Sequence, residues 1–242
     1  MTLRPAMLRL AAALRAGVLA SLLLPALAWA GGTARLQAVD QDGKQVSATV
    51  EYAGSSLRAA SPQQPNAYLL ARGGKVYNVA NVNGKTVVMD AADMMRMAGT
   101  LMPSPTVAIE QVRAVRALDP TSRRETVAGI AGTVYTLSYE DGRGNPRTEE
   151  LVLARDTRAN EFTAATVQLG RTLASVTGTR IPAGAEQLLT RIVDEGQGLL
   201  RFGNRFALIS IDGATPPSSR FELPAGSLQV PDLGNLLQGL GR

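Results

Sequence analysis

Apolar and polar residues alternate in short runs along much of the chain, and glycine, proline and asparagine punctuate the runs. That pattern predicts strands and turns more than helices. Residues 34–39 and 45–52 flank Asp40-Gln-Asp-Gly43, a glycine-ended connection suited to a hairpin. Residues 55–60 read as a third strand. Ser61-Pro-Gln-Gln-Pro65 reads as a loop, since proline donates nothing to a ladder. Strands over 68–71 and 75–79 follow, joined by Arg72-Gly-Gly74. Asn83-Gly84 is the strongest two-residue hairpin signal in the chain and leads into 86–90.

Residues 91–99 switch to strong helix formers and stop at Gly99. In 106–117, Val107, Ile109, Val112 and Val115 suit either a short helix or a strand, and the neighbouring Ala108, Glu110, Gln111 and Arg113 favour the helix. The stretch 126–139 reads as one strand, with Tyr135, Leu137 and Tyr139 on one face. The turn 140–146 returns the chain into 147–154. Helical spacing then appears over 160–177, with Phe162, Ala165, Leu169, Leu173 and Val176 on one stripe and Gly178 as the capping glycine. A second helix is expected over 184–195. A hairpin over 199–202 and 205–211 follows, then a terminal strand at 221–225, and a glycine-broken amphipathic tail that either docks or stays disordered. The fold class these elements predict is α+β, with a curved antiparallel sheet and a few helices.

The first thirty residues change the picture. Arg4, Arg9 and Arg15 precede or open a mostly apolar run that ends in Ala28-Trp-Ala30, the layout of a cleaved export signal. A membrane anchor is the alternative, but the run is shorter than the ~20 residues a bilayer needs, and Pro25 interrupts it. The chain is therefore expected to be periplasmic or secreted, with a single domain over 31–226 and a tail over 227–242. Without the three arginines the formal net charge drops from +5 to +2, so the basic balance belongs largely to that segment. A near-neutral remainder gives no reason to expect nucleic acid as a partner, and no later run approaches membrane-spanning length.

The chain has neither cysteine nor histidine. Disulfides, Cys–His dyads, Ser-His-Asp triads and histidine-held zinc are all excluded, and with them most hydrolase chemistry near neutral pH. The expectation is a non-enzyme that calls for no cofactor and no metal. Five of the seven methionines, Met89, Met94, Met95, Met97 and Met102, fall within fourteen residues. Three readings stand: core packing, an adaptable apolar lip, or a thioether copper site, the last lacking the histidine or cysteine such sites usually recruit. Asp40-x-Asp42-Gly43 lacks the remaining ligands of a calcium loop and reads as a turn. Glu149 and Glu150 are adjacent on a strand, so their side chains should diverge.

Several stretches together resemble the outer-membrane lipoprotein carriers and their LolA-like relatives. They are Ser55-Ser-Leu-Arg58, the hairpin from Gly74-Lys-Val-Tyr77 through Asn83-Gly-Lys-Thr-Val-Val-Met-Asp90 into the methionine-bearing helix, Glu125-Thr-Val-Ala-Gly-Ile-Ala-Gly-Thr-Val-Tyr135 with its partner 148–155, and Phe221-Glu-Leu-Pro-Ala-Gly226. The likeness is one of element order across 33–226. It implies a strongly curved half-barrel wrapping a few helices around an apolar cavity, of ~300–1,000 Å³ if it follows small-molecule sites generally. It places Met94, Met95 and Met97 on a helix at the concave side, with Tyr68, Tyr77, Tyr135, Leu137 and Phe206 as wall residues. True carriers hold their closed state with an arginine, and no motif assigns it here, although Arg58 stands on an expected strand. The function this implies is a binding or carrier protein for a lipid, acyl chain or other hydrophobic small molecule. The alternative is a non-catalytic envelope interaction or scaffolding protein, docking a protein partner through a sheet edge or the tail.

Overall fold

The computed structural model describes residues 31–40, 43–98 and 112–229. The export segment, residues 99–111 and the tail from 230 lie outside the described residues. In chain order the elements are β1 (Gly31–Val39), β2 (Gln45–Ala53), β3 (Ser56–Ala60), β4 (Ala67–Arg72), β5 (Lys75–Val82) and β6 (Lys85–Asp90), then helix α1 (Ala91–Ala98). The long strands β7 (Val112–Val127), β8 (Ile130–Asp141) and β9 (Pro146–Ala154) precede α2 (Thr157–Thr177) and α3 (Ala183–Asp194). Strands β10 (Gly198–Phe202) and β11 (Phe206–Asp212) follow, then a 3-10 turn at Ser218–Phe221 and β12 (Leu228–Gln229).

The protein is α+β. The described strands form one open sheet in the order β12-β6-β5-β4-β3-β2-β1-β11-β10-β9-β8-β7. Every pairing is antiparallel except the short β12, which lies parallel to β6. Among the described residues no helix is long and apolar enough to cross a membrane.

Helix α2 organises the sheet because it runs across the strands. Its 21 residues span about 31 Å, more than the roughly 24 Å between β10 and β4. Asp156 caps its first turn by accepting from the Arg158 and Ala159 amides, and Gly178 ends it at φ 69°. Near its start the Tyr52 hydroxyl donates to the Arg158 carbonyl at 3.2 Å, and the Tyr52 and Phe162 rings lie 6.0 Å apart. Here α2 touches β10 so closely that a β-carbon on Gly198 would fall 2.2 Å from the Ala159 carbonyl carbon. The buried Thr163 closes the contact. Its hydroxyl donates to the Ala159 carbonyl at 2.8 Å and accepts from the Leu199 amide at 2.9 Å, beside the irregularity where β10 shifts register against β9. Asn160 adds donations to the Val193 and Gln197 carbonyls at 3.0 and 2.7 Å, so α3 is tied in as well.

Helix α3 covers the other end of the sheet. Its Ala185, Leu188 and Ile192 form a second core with Val112, Leu118, Leu137, Leu151, Leu199 and Phe202. Residues 112–117, expected as helix, belong to β7, and the reason is visible in the register. Irregularities between Val112 and Ala114 and between Val115 and Ala117 each insert an extra residue opposite β8. Val112, Val115 and Leu118 thus oppose Asp141, Tyr139 and Leu137 on one face, so a three-residue apolar spacing sits on a strand. The expected single strand over 126–139 is in fact two, joined by Ala128 and Gly129 at φ 54° and 77°. Alanine seldom adopts that left-handed conformation, so the turn gave little sequence signal. Of residues 221–225, expected as a strand, Phe221 ends the 3-10 turn and 222–225 form no strand; the paired residues are Leu228–Gln229.

Two outcomes follow for stability. Gly198→Ala forces α2 off β10 and is expected to cost ~1–3 kcal/mol, while Thr163→Val strands the buried Leu199 amide at a cost of a further ~1–3 kcal/mol. Thermal melts should fall by about 2–4 °C per kcal/mol; an unchanged melt for both variants contradicts this packing. In the β8–β9 turn, Asp141 accepts from the Asn145 amide first of all, and from Arg147 and the Arg143 amide. These bonds outweigh the opposing loss of water and hold its carboxyl down at about 2, against an ordinary 3.8. The contribution is complete above the ordinary value and fades as pH falls from about 4 to about 2. A pH series of melts should show that loss in the native chain and a flatter profile in Asp141→Asn.

Candidate functional site

The antiparallel register sorts the side chains of β2–β6 into rows on the helix side. Tyr52, Leu57, Ala71 and Val76 stand in line across four strands and are 1–5% exposed beneath α2. The next row is Val50, Ala59, Leu69, Asn78 and Met89. Only Val50 of that row is buried; the rest are half-buried. A third row of Ala67, Ala80 and Val87 is half-buried too, as are Leu36 and Ala48 where β1 and β2 continue the surface. An apolar shelf therefore extends past the helix, interrupted by one amide at Asn78.

Helix α2 borders this shelf with its less secured half. Its buried residues, Ala159, Phe162, Thr163 and Val167, all lie in the first eleven positions. Ala165, Leu169 and Leu173 only partly cover the core, and Gly170 adds no side chain to the contact there. Between this half and the β3–β4 strands is a recess of about 10 Å³, room for one water and far short of the expected cavity of ~300–1,000 Å³, lined by Leu57, Ala71, Ala165 and Leu169 with Ser55, Ser56, Gln168 and Thr172. Helix α1 closes the β6 side. The Asp90 carboxylate accepts from the Ala92 amide at 2.9 Å, and Ala91 packs on the core. Met94 is half-buried; Met95 and Met97 are on the same helix, but their side chains, like Met102, lie outside the described residues.

The residues named from sequence separate into two groups. Tyr135, Leu137 and Phe206 lie on the helix side within or against the α3 core, where the Tyr135 hydroxyl accepts from Gln197 at 3.0 Å. Leu137 is fully buried. Tyr68 and Tyr77 face the opposite side, with Leu70, Val79, Val88 and Phe221. Arg58 faces that side too, its guanidinium 4.1 Å above the Tyr68 ring and 2.8 Å from Glu51. One surface cannot collect both groups. Leu69 and Ala59 are residues that sequence reasoning passed over, although the Leu57/Ala59 and Leu69/Ala71 alternation carried the signal; Met89 figures in the sequence only as part of the methionine cluster. Glu149 and Glu150 point apart, the first toward Arg205, the second toward Arg123 and Arg201.

The uneven anchoring of α2 has a measurable consequence. Amide hydrogen exchange should be slow over 159–167 and at least about tenfold faster over 169–176, as lightly packed segments open at lower cost. Uniform protection along the helix would contradict the asymmetry. No protein-family model matches this chain, and no curated protein does.

Proposed function

We propose that the chain is an exported binding or carrier protein for an apolar or amphipathic ligand, a lipid or acyl chain, with a LolA-like sheet that curves as a half-barrel around α1 and α2. The observation that carries the reading is the half-exposed apolar shelf of Ala59, Leu69, Met89, Ala67, Ala80 and Val87 beside the lightly packed half of α2. A shelf that wide is costly to leave in water, at about 25 cal/mol per Å² of apolar surface. An acyl chain laid along it relieves that cost, and outward movement of Leu169 and Leu173 enlarges the recess beneath α2. The polar lining of Ser55, Ser56, Gln168 and Thr172 offers hydrogen bonds to a headgroup. Export to the periplasm fits the basic, apolar and small-residue layout of residues 1–30.

The test is native mass spectrometry of protein recovered from a bacterial periplasm, followed by organic extraction and lipid titration. Bound or readily acquired acyl species are expected, with affinity lowered about tenfold or more, or roughly 1.4 kcal/mol, by Leu69→Asp or Met94→Asp. The exposed Ile209 supplies a control, and Ile209→Asp should bind as the native chain does. A native chain that takes up no lipid, or equal binding by all variants, would defeat the reading.

A further inference from the structure

The face opposite the helices carries a groove that the chain fills with its own segment. After Pro216-Pro217 the 3-10 turn presents Arg220 and Phe221 to β2–β6, and the segment ends as β12 paired along β6 at Val87 and Val88. Phe221 is 6% exposed in an apolar cluster with Leu70, Val79 and Val88, flanked by Tyr68, Tyr77 and Leu223. Arg220 grips Glu51 with two nitrogens, at 2.8 and 2.7 Å. Arg72 donates to the Phe221 carbonyl at 3.1 Å. Burial would raise the Glu51 carboxyl, but the bonds from Arg220 and Arg58 overcome that and keep it ionised. Within the segment Ser218, Ser219, Arg220 and Glu222 are exposed, while Leu223 packs beside Phe221. Across the groove β6 pairs with β5 on one side and, among the described residues, with the two-residue β12 on the other.

A charged anchor, an aromatic anchor and strand addition at an edge together constitute a peptide-recognition mode. We infer that residues 216–229 are a peptide-like ligand held in cis, and that the groove accepts in trans an extended protein segment with a basic residue immediately before an aromatic one. Glu51 takes the cation, the Leu70–Val79–Val88 pocket takes the ring, and the following residues add to the β6 edge. This surface is on the other side of the sheet from the acyl-binding shelf and does not depend on it.

The experiment uses full-length Phe221→Ala protein, checked for a cooperative melt, and a fluorescent peptide with the sequence of residues 216–229. Saturable binding to the variant is expected. Binding to the native chain should be at least about tenfold weaker, because the tethered segment competes at an effective concentration of order millimolar. A peptide carrying alanine in place of both the Arg220 and Phe221 equivalents should not bind. A folded variant that ignores the peptide, or that binds both peptides alike, overturns the inference. If Phe221→Ala does not fold cooperatively, Arg220→Glu serves instead. Amide exchange at Val87 and Val88 should then rise and be suppressed by saturating native-sequence peptide; an unchanged rate, or a rise the peptide fails to reverse, overturns the inference.

Discussion

The contact between Gly198 and Ala159 sets the geometry of the rest. A helix laid across strands must approach them at one point and ride higher elsewhere, since the strands are twisted and the helix is straight. Here the point of approach is β10, where a glycine lets the backbones meet and Thr163 satisfies the amide that the register shift leaves over. Asn160 fastens α3 to the same place, so both cores depend on one small polar junction inside an apolar interface. Thr163 and the Asn160 amide make their bonds there, while the Oε1 of neighbouring Gln197 is buried without a hydrogen-bond partner among the described residues.

Tight seating at one end leaves the other end loose. Beyond Val167 α2 has no buried residue, and the rows of β3–β6 that a longer contact would have covered are half-exposed. The apolar shelf is a consequence of how the helix crosses the sheet. On the opposite face the same strands have the reverse arrangement: Leu70, Val79 and Val88 alternate with the shelf residues, and Phe221 seals them. Strand alternation thus gives β4–β6 two apolar sides, one covered by a short segment of the chain and one only partly covered by helices.

Much of this was legible in the sequence. The hairpins at Asp40–Gly43 and Asn83-Gly84, both long helices, the capping Gly178 and the α+β class all follow from local chemistry that the tertiary structure did not override. The failures have specific physical causes. Two register irregularities in β7 turned a period of two into a period of three, and a left-handed Ala128 hid a turn in what reads as one strand. The site was less legible, because which face a strand residue occupies depends on register, which periodicity alone does not set. Tyr68 and Tyr77 differ from Leu69 and Val76 by one position each, and that one position carries them through the sheet.

The absence of cysteine allows the shelf to be probed directly, since a single introduced thiol is the only one in the chain. Ala59→Cys carrying an environment-sensitive fluorophore reports from the middle of the shelf, and Ile209→Cys reports from an exposed position on β11. On titration with a single-chain phospholipid below its micellar concentration, a saturable blue shift with loss of quencher access is expected at position 59 and not at 209. No change at 59, or an equal change at both positions, would contradict an acyl-binding shelf on the helix side of the sheet.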